Sequence, residues 1–445
     1  MAGLKGQALP KGQLSRLPAL LPHSLFAAAI PVVGVDRQIS GHSGSGCLAS
    51  VSPLVVNLWG HLGGGFGLGE GALCTARALG AAGLTVQLRD LPLASHPGAA
   101  PIQAAAKPIL PAAIDLLHTN PNVLRQTDGL AAQLQLEAPL RIGYWAWELE
   151  AFPDGWEAGF SGLDQLWCPS PFCATALGQR SPVPVTALPH LIDWRRADRL
   201  AQQRADLGRS GFAGRRLPFT VLFAFDFWST RARKNPDGVI EAFLAAFPPG
   251  GSVAARLVLK LGSAGQFPEA TAELAERCAG DPRLQLITSH LSADEFDALY
   301  VQADVVLSLH RAEGFGLLLA EAMAAGIPTV ASGYGGNLCF MPPGSAELVP
   351  CSRVPIQRTE GDYRAGWCWG EPDLDGAAAA LRRLADHPAQ AAQLAAAGRR
   401  AVREALDPAG LAAVVAERIG SLLRWGGRAE LLAALPQQHS LRQLQ

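Results

Sequence analysis

The chain has 445 residues, 49% of them hydrophobic, so it is long enough for two domains and apolar enough to bury a core in each. Its 37 basic and 38 acidic residues leave a net charge of −1, which argues against a nucleic-acid-binding protein. Eight scattered cysteines, with no CxxC pair and no zinc-ligand spacing, predict reduced thiols in a cytoplasmic protein.

The start of the chain is rich in Gly, Ser and Pro, and we predict an irregular extension over residues 1–50. An apolar stretch at 17–35 follows basic residues as a signal peptide would, but three prolines and a histidine interrupt it. No run of about 18 uninterrupted apolar residues occurs, so the sequence predicts neither export nor a membrane span.

A first block of alternating strands and helices follows the extension. Six short apolar runs are predicted to be strands, at 53–59, 85–90, 114–118, 140–147, 163–170 and 183–190. A helical pattern at 70–83 follows a glycine-rich loop. The charge-rich stretch 193–216 is predicted to be a connector, so we expect the first domain to span residues 51–205.

A second block has the same architecture without repeating the sequence. Its predicted strands are 219–225, 255–262, 284–288, 304–309 and 328–332, and predicted helices centre near residues 240, 272, 296, 321, 380, 395 and 414. Strand–helix alternation in two blocks predicts an α/β protein with two Rossmann-like parallel-sheet domains. We expect the second domain at 206–405 and the ligand in the interdomain cleft.

The stretch HRAEGFGLLLAEAMAAGIPTVASGYGGN, residues 310–337, places two glutamates around a glycine-rich turn at the start of a helix. The turn consists of Gly314, Phe315, Gly316 and Leu317. Free amides at a helix start favour a phosphate, and glycines let the chain approach it closely. Glu321 can accept hydrogen bonds from a ribose diol, and Glu313 from a second sugar. The alternative is an ordinary helix start whose acidic residues complement the helix dipole.

A basic turn follows the strand that opens the second block. Arg231, Arg233 and Lys234 lie within STRARKNPDGVIEAF, residues 229–243. At the carboxyl end of a parallel strand, such cations can neutralise a diphosphate leaving group as its negative charge grows. The alternative is a solvated basic turn.

The glycine-rich loop of the first block is WGHLGGGFGLGEGA, residues 59–72, and its amides can contact phosphate or sugar oxygens. Its candidate residues are Gly65, Gly67, Gly69 and Glu70. The segment 67–72 also satisfies G-x-G-x-x-G/A, and Asp90 follows about twenty residues later, as in a nicotinamide dehydrogenase. Against that rival, about eight residues separate the strand end from the first glycine, whereas a dinucleotide turn is tight. An ordinary flexible loop is the other alternative.

Further candidates stand at strand ends of the first block. His118 could donate a hydrogen bond to a sugar hydroxyl across the cleft, although a lone histidine is more often a surface or core residue. Trp145, Trp147 and Glu148, within GYWAWELE, could hold the acceptor because tryptophan rings stack on sugars. The alternative for the two rings is that they cap a core.

Six sequence motifs occur along the chain in an order that is typical of one family of enzymes. They are LGGGFGLGEGALCTARALGAAG (62–83), RIGYWAWELEAFPDGW (141–156), DQLWCPSPF (164–172), FDFWSTRARKNPDGVIEAF (225–243), the stretch 310–337 and WGEPD (369–373). Together they resemble the GT-B-fold retaining glycosyltransferases of the large family 4. The resemblance implies the GT-B pair of Rossmann-like domains, and a final helix within residues 406–445 that packs back toward the first domain.

The resemblance also implies site roles by position. Glu313 is similar to the family's glutamate beside the donor sugar, Glu321 to the glutamate that holds the ribose, and Lys234 to the phosphate-contacting lysine. The family's arginine has its usual place where this chain has FDFWS, so Arg231 or Arg233 would substitute for it.

Three more positions match the family. His118 corresponds to its first-domain histidine, while Gly336 and Asn337 lie where the family has a loop near the phosphates. Many relatives have serine where this chain has Gly335, which is a mild departure.

The resemblance implies a hexosyltransferase that takes a nucleoside-diphosphate sugar as donor and retains the anomeric configuration. A hydroxyl acceptor on a glycan or lipid-linked glycan is expected, and no cofactor. No Asp-x-Asp motif stands out, since DEFD at 294–297 falls in a helical pattern, so no metal is predicted. Weak association with the inner face of a membrane stays open for a lipid-linked acceptor. The alternatives are a sugar-nucleotide-binding GT-B protein or an epimerase without transferase activity.

Overall fold

The computed structural model describes residues 54–63, 66–91, 110–126, 134, 136–208 and 218–426. All of them fall within one compact unit of the chain. The expected extension at 1–50, the candidate Gly65 and the tail beyond residue 426 lie outside the described residues. Among the helices that the structure describes, none is long and apolar enough to cross a membrane.

The first lobe is built on a six-stranded parallel sheet in the order β2-β1-β3-β4-β5-β6. Its strands are β1 (Val55–Gly60), β2 (Thr85–Asp90), β3 (Ile114–His118), β4 (Leu140–Tyr144), β5 (Gln165–Cys168) and β6 (Val185–Ala187). The central strands are buried on both faces, which is why they read as mainly apolar runs in the sequence. The buried polar side chains within them are paired, as in the hydrogen bond of 2.9 Å from Asn57 to Asp115.

The second lobe has a second six-stranded parallel sheet, in the order β12-β11-β10-β7-β8-β9. Its strands are β7 (Phe219–Asp226), β8 (Ala255–Gly262), β9 (Leu284–Ile287), β10 (Val305–Ser308), β11 (Thr329–Ser332) and β12 (Glu347–Val349). The predicted α/β fold with two parallel sheets is thereby confirmed. Since β7 and β10 are neighbours, the loops that follow them meet at the same edge of the sheet.

Helices cover both sheets and connect the two lobes. They are α1 (Gly67–Ala81), α2 (Pro121–Gln126), α3 (Pro171–Gly178), α4 (Trp194–Asp206), α5 (Arg231–Lys234), α6 (Pro236–Ala246), α7 (Pro268–Ala279), α8 (Ala293–Gln302), α9 (Leu317–Ala324), α10 (Leu374–Asp386), α11 (Pro388–Ala405) and α12 (Pro408–Trp425). Many begin at a polar cap, because the first amides of a helix lack backbone partners. The side chains of Ser170, Asp193, Asn235, Asp373 and Asp407 each accept such an amide bond.

An antiparallel hairpin of β13 (Cys351–Pro355) and β14 (Cys368–Pro372), which the sequence did not predict, follows the second sheet. The residues between its strands reach the first lobe. There the ring of Tyr363 stacks on Trp147, and Asn122 donates a hydrogen bond of 2.6 Å to Asp362. The last helix, α12, also returns to the first lobe, where it packs on α1.

Candidate active site

Glu313 and Lys234 form an ion pair where the loops after β10 and β7 meet. The Lys234 ammonium donates a hydrogen bond to Oε2 of Glu313. Their side chains are only 14% and 18% exposed, so both charges lie largely out of water. The two charged residues singled out in the sequence, 79 positions apart, are therefore direct partners.

Arg233 joins this pair to the first lobe. Its Nη2 lies 3.6 Å from a carboxylate oxygen of Glu148, and its Nη1 lies 3.9 Å from Oε1 of Glu313. The guanidinium also donates to the carbonyls of Ser229 and Ala312, at 3.0 Å each. Because the side chain is 5% exposed, its charge depends on these partners rather than on water.

The charges in this cluster hold one another in the ionised state. Burial raises the pKa of Glu313, but the Lys234 ammonium and the Arg233 guanidinium outweigh it and lower the pKa to about 2. Burial lowers the pKa of Lys234, and the Glu313 carboxylate opposes that shift. Two largely buried cations, Lys234 and Arg233, thus face two carboxylates, Glu313 and Glu148.

Arg231, the other candidate arginine, faces away from this cluster. Its guanidinium contacts Asp237 at 3.1 Å and pairs with Glu273. The structure thus separates the two arginines that the sequence left as alternatives. It brings Arg233 to Glu313 and Lys234, whereas Arg231 joins helices α5, α6 and α7.

The glycine-rich turn after Glu313 is fixed by contacts with the first lobe. The Gly314 carbonyl accepts hydrogen bonds from the Ser170 hydroxyl at 2.7 Å and the Cys173 thiol at 3.3 Å. Gly316 has φ +92, a left-handed conformation that favours glycine. Phe315 is buried between Phe340 and His190, and Leu317 begins α9.

The loop with Gly336 and Asn337 packs directly on this turn. The Gly336 amide donates to the Glu313 carbonyl at 2.6 Å. Asn337 is fully buried, and its side chain donates to the Ser332 carbonyl at 3.1 Å and accepts from His310 at 3.2 Å. Asn337 therefore fixes the loop with its side chain, which is already engaged by the protein.

Gly336→Ala is expected to lower the free energy of unfolding by about 1–3 kcal/mol and to raise the KM for the donor. A Cβ at this position would stand 1.8 Å from the Gly314 carbonyl oxygen and 2.6 Å from the Ser170 hydroxyl. Gly265→Ala is the matched control, because a Cβ there meets nothing within 4 Å. Equal unfolding curves for the two variants in denaturant would contradict the packing described above.

Glu321 lies one turn inside α9, where two side chains engage its carboxylate. Nη1 of Arg196 donates to Oε1 at 2.7 Å, and the Tyr300 hydroxyl donates to Oε2 at 3.0 Å. The Glu321 side chain is 24% exposed, so it is neither sealed nor in bulk solvent. The sequence predicted neither Arg196 nor Tyr300 as a partner of Glu321. The only feature that drew attention to Arg196 was the high density of charged residues in the predicted connector.

The glycine-rich loop of the first lobe leads into α1, which begins at Gly67; Gly69 is buried in its first turn. Glu70 in the same turn has access to solvent, but neighbouring protein partly desolvates it. Desolvation by these surroundings raises the pKa of Glu70, and the Glu321 carboxylate of the other lobe raises it further. A carboxylate from each lobe thus faces the same region.

His118 is buried at the carboxyl end of β3, with its ring stacked on Tyr144 at 4.1 Å between centroids. Burial, then His190 and His61, lower its pKa well below the usual value, so the ring is neutral at pH 7. The Thr75 hydroxyl lies 3.1 Å from both the Gly71 carbonyl oxygen and Nδ1 of His118. The donation of a hydrogen bond from His118 to a sugar hydroxyl stays a prediction.

Trp145 and Trp147 are not open to a sugar, contrary to the acceptor role considered from the sequence. Each is 2% exposed within an aromatic cluster with Trp156 and Phe160. The Trp147 ring lies parallel to Tyr363 with centroids 5.5 Å apart. Trp145 packs on Trp156 and Phe160 of the first lobe, and Trp147 is also covered by Tyr363 and Trp367 from the hairpin of β13 and β14, which the sequence did not predict. Glu148 beside them pairs with Arg233 and accepts a hydrogen bond of 2.9 Å from the Tyr363 hydroxyl.

Within the described ranges, no group of three or more His, Cys, Asp or Glu side chains is arranged to hold a metal ion. The cluster of His61, His118 and His190 is engaged instead in ring contacts and hydrogen bonds.

Part of the second lobe matches the model of a known protein family. Residues 220–354 match the family model described as Glycosyl transferases group 1. No curated protein is a significant match to the sequence. The segment that matches contains Lys234, Arg233, Glu313 and Glu321.

Solved structures with a similar fold cover most of the chain. HepE of Anabaena in complex with UDP and glucose has a TM-score of 0.53 and 15% identity, over 83% of this chain and 100% of that chain. Sucrose-phosphate synthase of Thermosynechococcus elongatus has a TM-score of 0.56 and 18% identity, over 83% and 99%. A glycosyltransferase of Rickettsia africae has a TM-score of 0.53 and 12% identity, over 83% and 98%.

The two parallel sheets therefore constitute the GT-B fold. The second lobe is similar to the group 1 glycosyltransferase model over residues 220–354, in agreement with the resemblance to glycosyltransferases seen in the sequence.

Proposed function

We propose that the protein transfers a hexose from a nucleoside-diphosphate sugar to a hydroxyl acceptor with retention of the anomeric configuration. The observation that carries this proposal is the ion pair of Lys234 and Glu313, joined by Arg233, at the carboxyl ends of β7 and β10. Retention is inferred from the resemblance to the family 4 enzymes.

The cationic side chains would act on the leaving group. An ammonium has three N–H donors, and Glu313 takes one of those of Lys234, which leaves two for diphosphate oxygens. As the bond between the sugar C1 and the diphosphate oxygen breaks, negative charge grows on the diphosphate, and Lys234 and Arg233 stabilise it. The acceptor oxygen bonds to C1 on the same face, and its proton passes to the departing phosphate. Glu313 would bind hydroxyls of the transferred sugar.

The rest of the site would hold the nucleoside and the acceptor. Glu321 would bind the ribose diol, and backbone amides at the start of α1, near Gly67, would contact the phosphates, whereas the Gly336 amide is engaged by the Glu313 carbonyl. Residues 51–205 and 206–405 would act as two domains that close on the donor by a hinge. We expect a glycan or lipid-linked glycan as acceptor, and a cytoplasmic protein with weak peripheral contact at the inner face of a membrane in the lipid-linked case.

Thermal denaturation with a panel of nucleotide sugars tests donor binding. UDP-glucose is the first to try, because HepE was crystallised with UDP and glucose. A donor at 100 times its Kd adds about 2.7 kcal/mol to stability, so the Tm should rise with the donor and stay unchanged with free hexose. No shift with any member of the panel would refute the proposal.

Release of nucleoside diphosphate separates the remaining alternatives. A transferase releases nucleoside diphosphate in proportion to the acceptor added, whereas a binding protein releases none. An epimerase changes the configuration of the sugar, and its product is still joined to the nucleoside diphosphate. Saturable binding of NADH, measured by its fluorescence, would instead favour the dehydrogenase suggested by residues 67–72.

A further inference from the structure

The linker helix α4 places a cation on the carboxylate that we propose holds the ribose. Arg196 lies in the first turn of α4, whose N-cap is Asp193. Its Nη1 donates to Oε1 of Glu321 at 2.7 Å, while its Nε donates to Oδ1 of Asp297 at 2.7 Å. One guanidinium therefore bridges α8 and α9 of the second lobe from the segment that joins the two lobes.

The arrangement fixes Glu321 without using up its capacity to bind a ligand. An ionised carboxylate accepts about four hydrogen bonds, two at each oxygen. Arg196 occupies one position on Oε1 and Tyr300 one on Oε2, so each oxygen has a position left. A vicinal diol presents two donors at a spacing that matches the two oxygens of one carboxylate.

Arg196 is itself held rigidly. Asp297, whose side chain is 10% exposed, contacts both Nε and Nη2 of Arg196 at 2.7 Å. The guanidinium lies 5.6 Å from the centre of the Tyr300 ring. Its charge also stands near Glu70, the first-lobe carboxylate that faces Glu321. A guanidinium fixed by Asp297 and Tyr300 in this way is suited to orient a neighbouring carboxylate.

We propose that Arg196 is a positioning residue for donor binding, which holds the Glu321 carboxylate in the orientation that accepts both ribose hydroxyls of a nucleoside diphosphate. This inference rests on the proposed function. It assigns to the interlobe linker, which the sequence marked only as a charged connector, a part in selecting ribonucleotides over deoxyribonucleotides.

The test compares Arg196→Gln with Arg199→Gln. Arg199 lies on the same helix and pairs with the same Asp297, at 2.8 Å, but it does not contact Glu321. Calorimetry gives the Kd of UDP, ADP and GDP, and of the 2′-deoxy form of whichever binds best. We expect the wild type to prefer the ribose form at least tenfold, Arg196→Gln to lose ten- to a hundredfold affinity for the ribose form alone, and Arg199→Gln to change less than threefold.

Enzyme kinetics provide a second readout. Loss of Arg196 should raise the KM for the donor and leave kcat nearly unchanged, because the ribose contact is the same in ground and transition states. Arg196→Lys covers the case in which the glutamine variant does not fold. A single ammonium cannot reproduce the fork that contacts Asp297 and Glu321 together, so the preference for ribose should still fall.

An unchanged ratio of ribose to deoxyribose affinity in a folded Arg196 variant would overturn the inference. Glu321→Gln separates this failure from that of the proposed function. If Glu321→Gln removes the preference for ribose and the Arg196 variants do not, the inference alone fails. If Glu321→Gln binds the ribose form as the wild type does, the ribose site itself has been assigned incorrectly.

Discussion

Lys234→Met should lower kcat by about a thousandfold, with a much smaller change in the KM for the donor. Removing one preorganised group that stabilises transition-state charge costs a factor of about 10² to 10³ in kcat. We expect a loss in kcat at the upper end of this range. The Lys234 side chain is only 18% exposed, so water would replace the lost ammonium poorly. Steady-state kinetics with the best donor of the panel measure both constants.

Arg231→Met is the matched control for this variant. It removes a cation from the same four-residue helix, α5, but Arg231 pairs with Asp237 and Glu273 on the outer side. We expect its kcat to stay within about threefold of the wild type. An equal loss of kcat in the two variants would mean that the summed positive charge of the basic turn matters. That result would contradict a specific role for Lys234.

Lys234→Met should also raise the pH at which the protein unfolds and loses activity in acid. In the wild type the pKa of Glu313 is about 2, below its ordinary value of 4.5, despite burial, because Lys234 and Arg233 are adjacent. A carboxyl group with a lowered pKa stabilises the fold fully above the unfolded-state pKa, and this contribution is lost as the pH falls through the folded-state pKa. Without Lys234 the pKa of Glu313 rises, so acid unfolding and the acid limb of kcat/KM should both move to higher pH.

The sequence could place Glu313 and Lys234 at the same edge of a sheet, because both follow apolar runs predicted to be parallel strands. Their direct contact also requires that β7 and β10 be neighbours, which only the structure shows. The contact of Arg196 with Glu321 could not be predicted in this way. A basic residue on an amphipathic helix reads as part of a solvated face, and only the packing of α4 on α8 and α9 brings it to its partners.

The aromatic residues show a second limit. Trp145 and Trp147 follow a strand end, as sugar-stacking residues would, but Trp145 packs on aromatic residues of its own lobe. Trp147 is covered by Tyr363, which lies between the strands of a hairpin about 200 residues later in the chain. The strands of that hairpin, Cys351–Pro355 and Cys368–Pro372, are partly exposed and lack a regular apolar alternation. Without that periodicity the sequence predicted no strands there, and therefore no cover for Trp147.

Arg233→Met should lower the free energy of unfolding by about 3–5 kcal/mol, which is the usual cost of removing one partner from a buried ion pair. The loss would leave two largely buried carboxylates, Glu148 and Glu313, short of a cation, and the carbonyls of Ser229 and Ala312 short of a donor. Methionine nearly retains the packed volume, so an altered charge, not a cavity, dominates the effect. Urea denaturation followed by tryptophan fluorescence measures it, and Arg231→Met should change stability by less than about 1 kcal/mol.

A double-mutant cycle with Glu148→Gln attributes this loss to the contact between the lobes. Glutamine can still accept the hydrogen bond of the Tyr363 hydroxyl but carries no charge. If the unpaired Glu148 carboxylate accounts for much of the cost, Arg233→Met should be less destabilising in the Glu148→Gln background than in the wild type, with a coupling energy of about 1–3 kcal/mol. Additive effects would mean that the two side chains do not interact, and that Arg233 stabilises the second lobe alone through Glu313 and the two carbonyls.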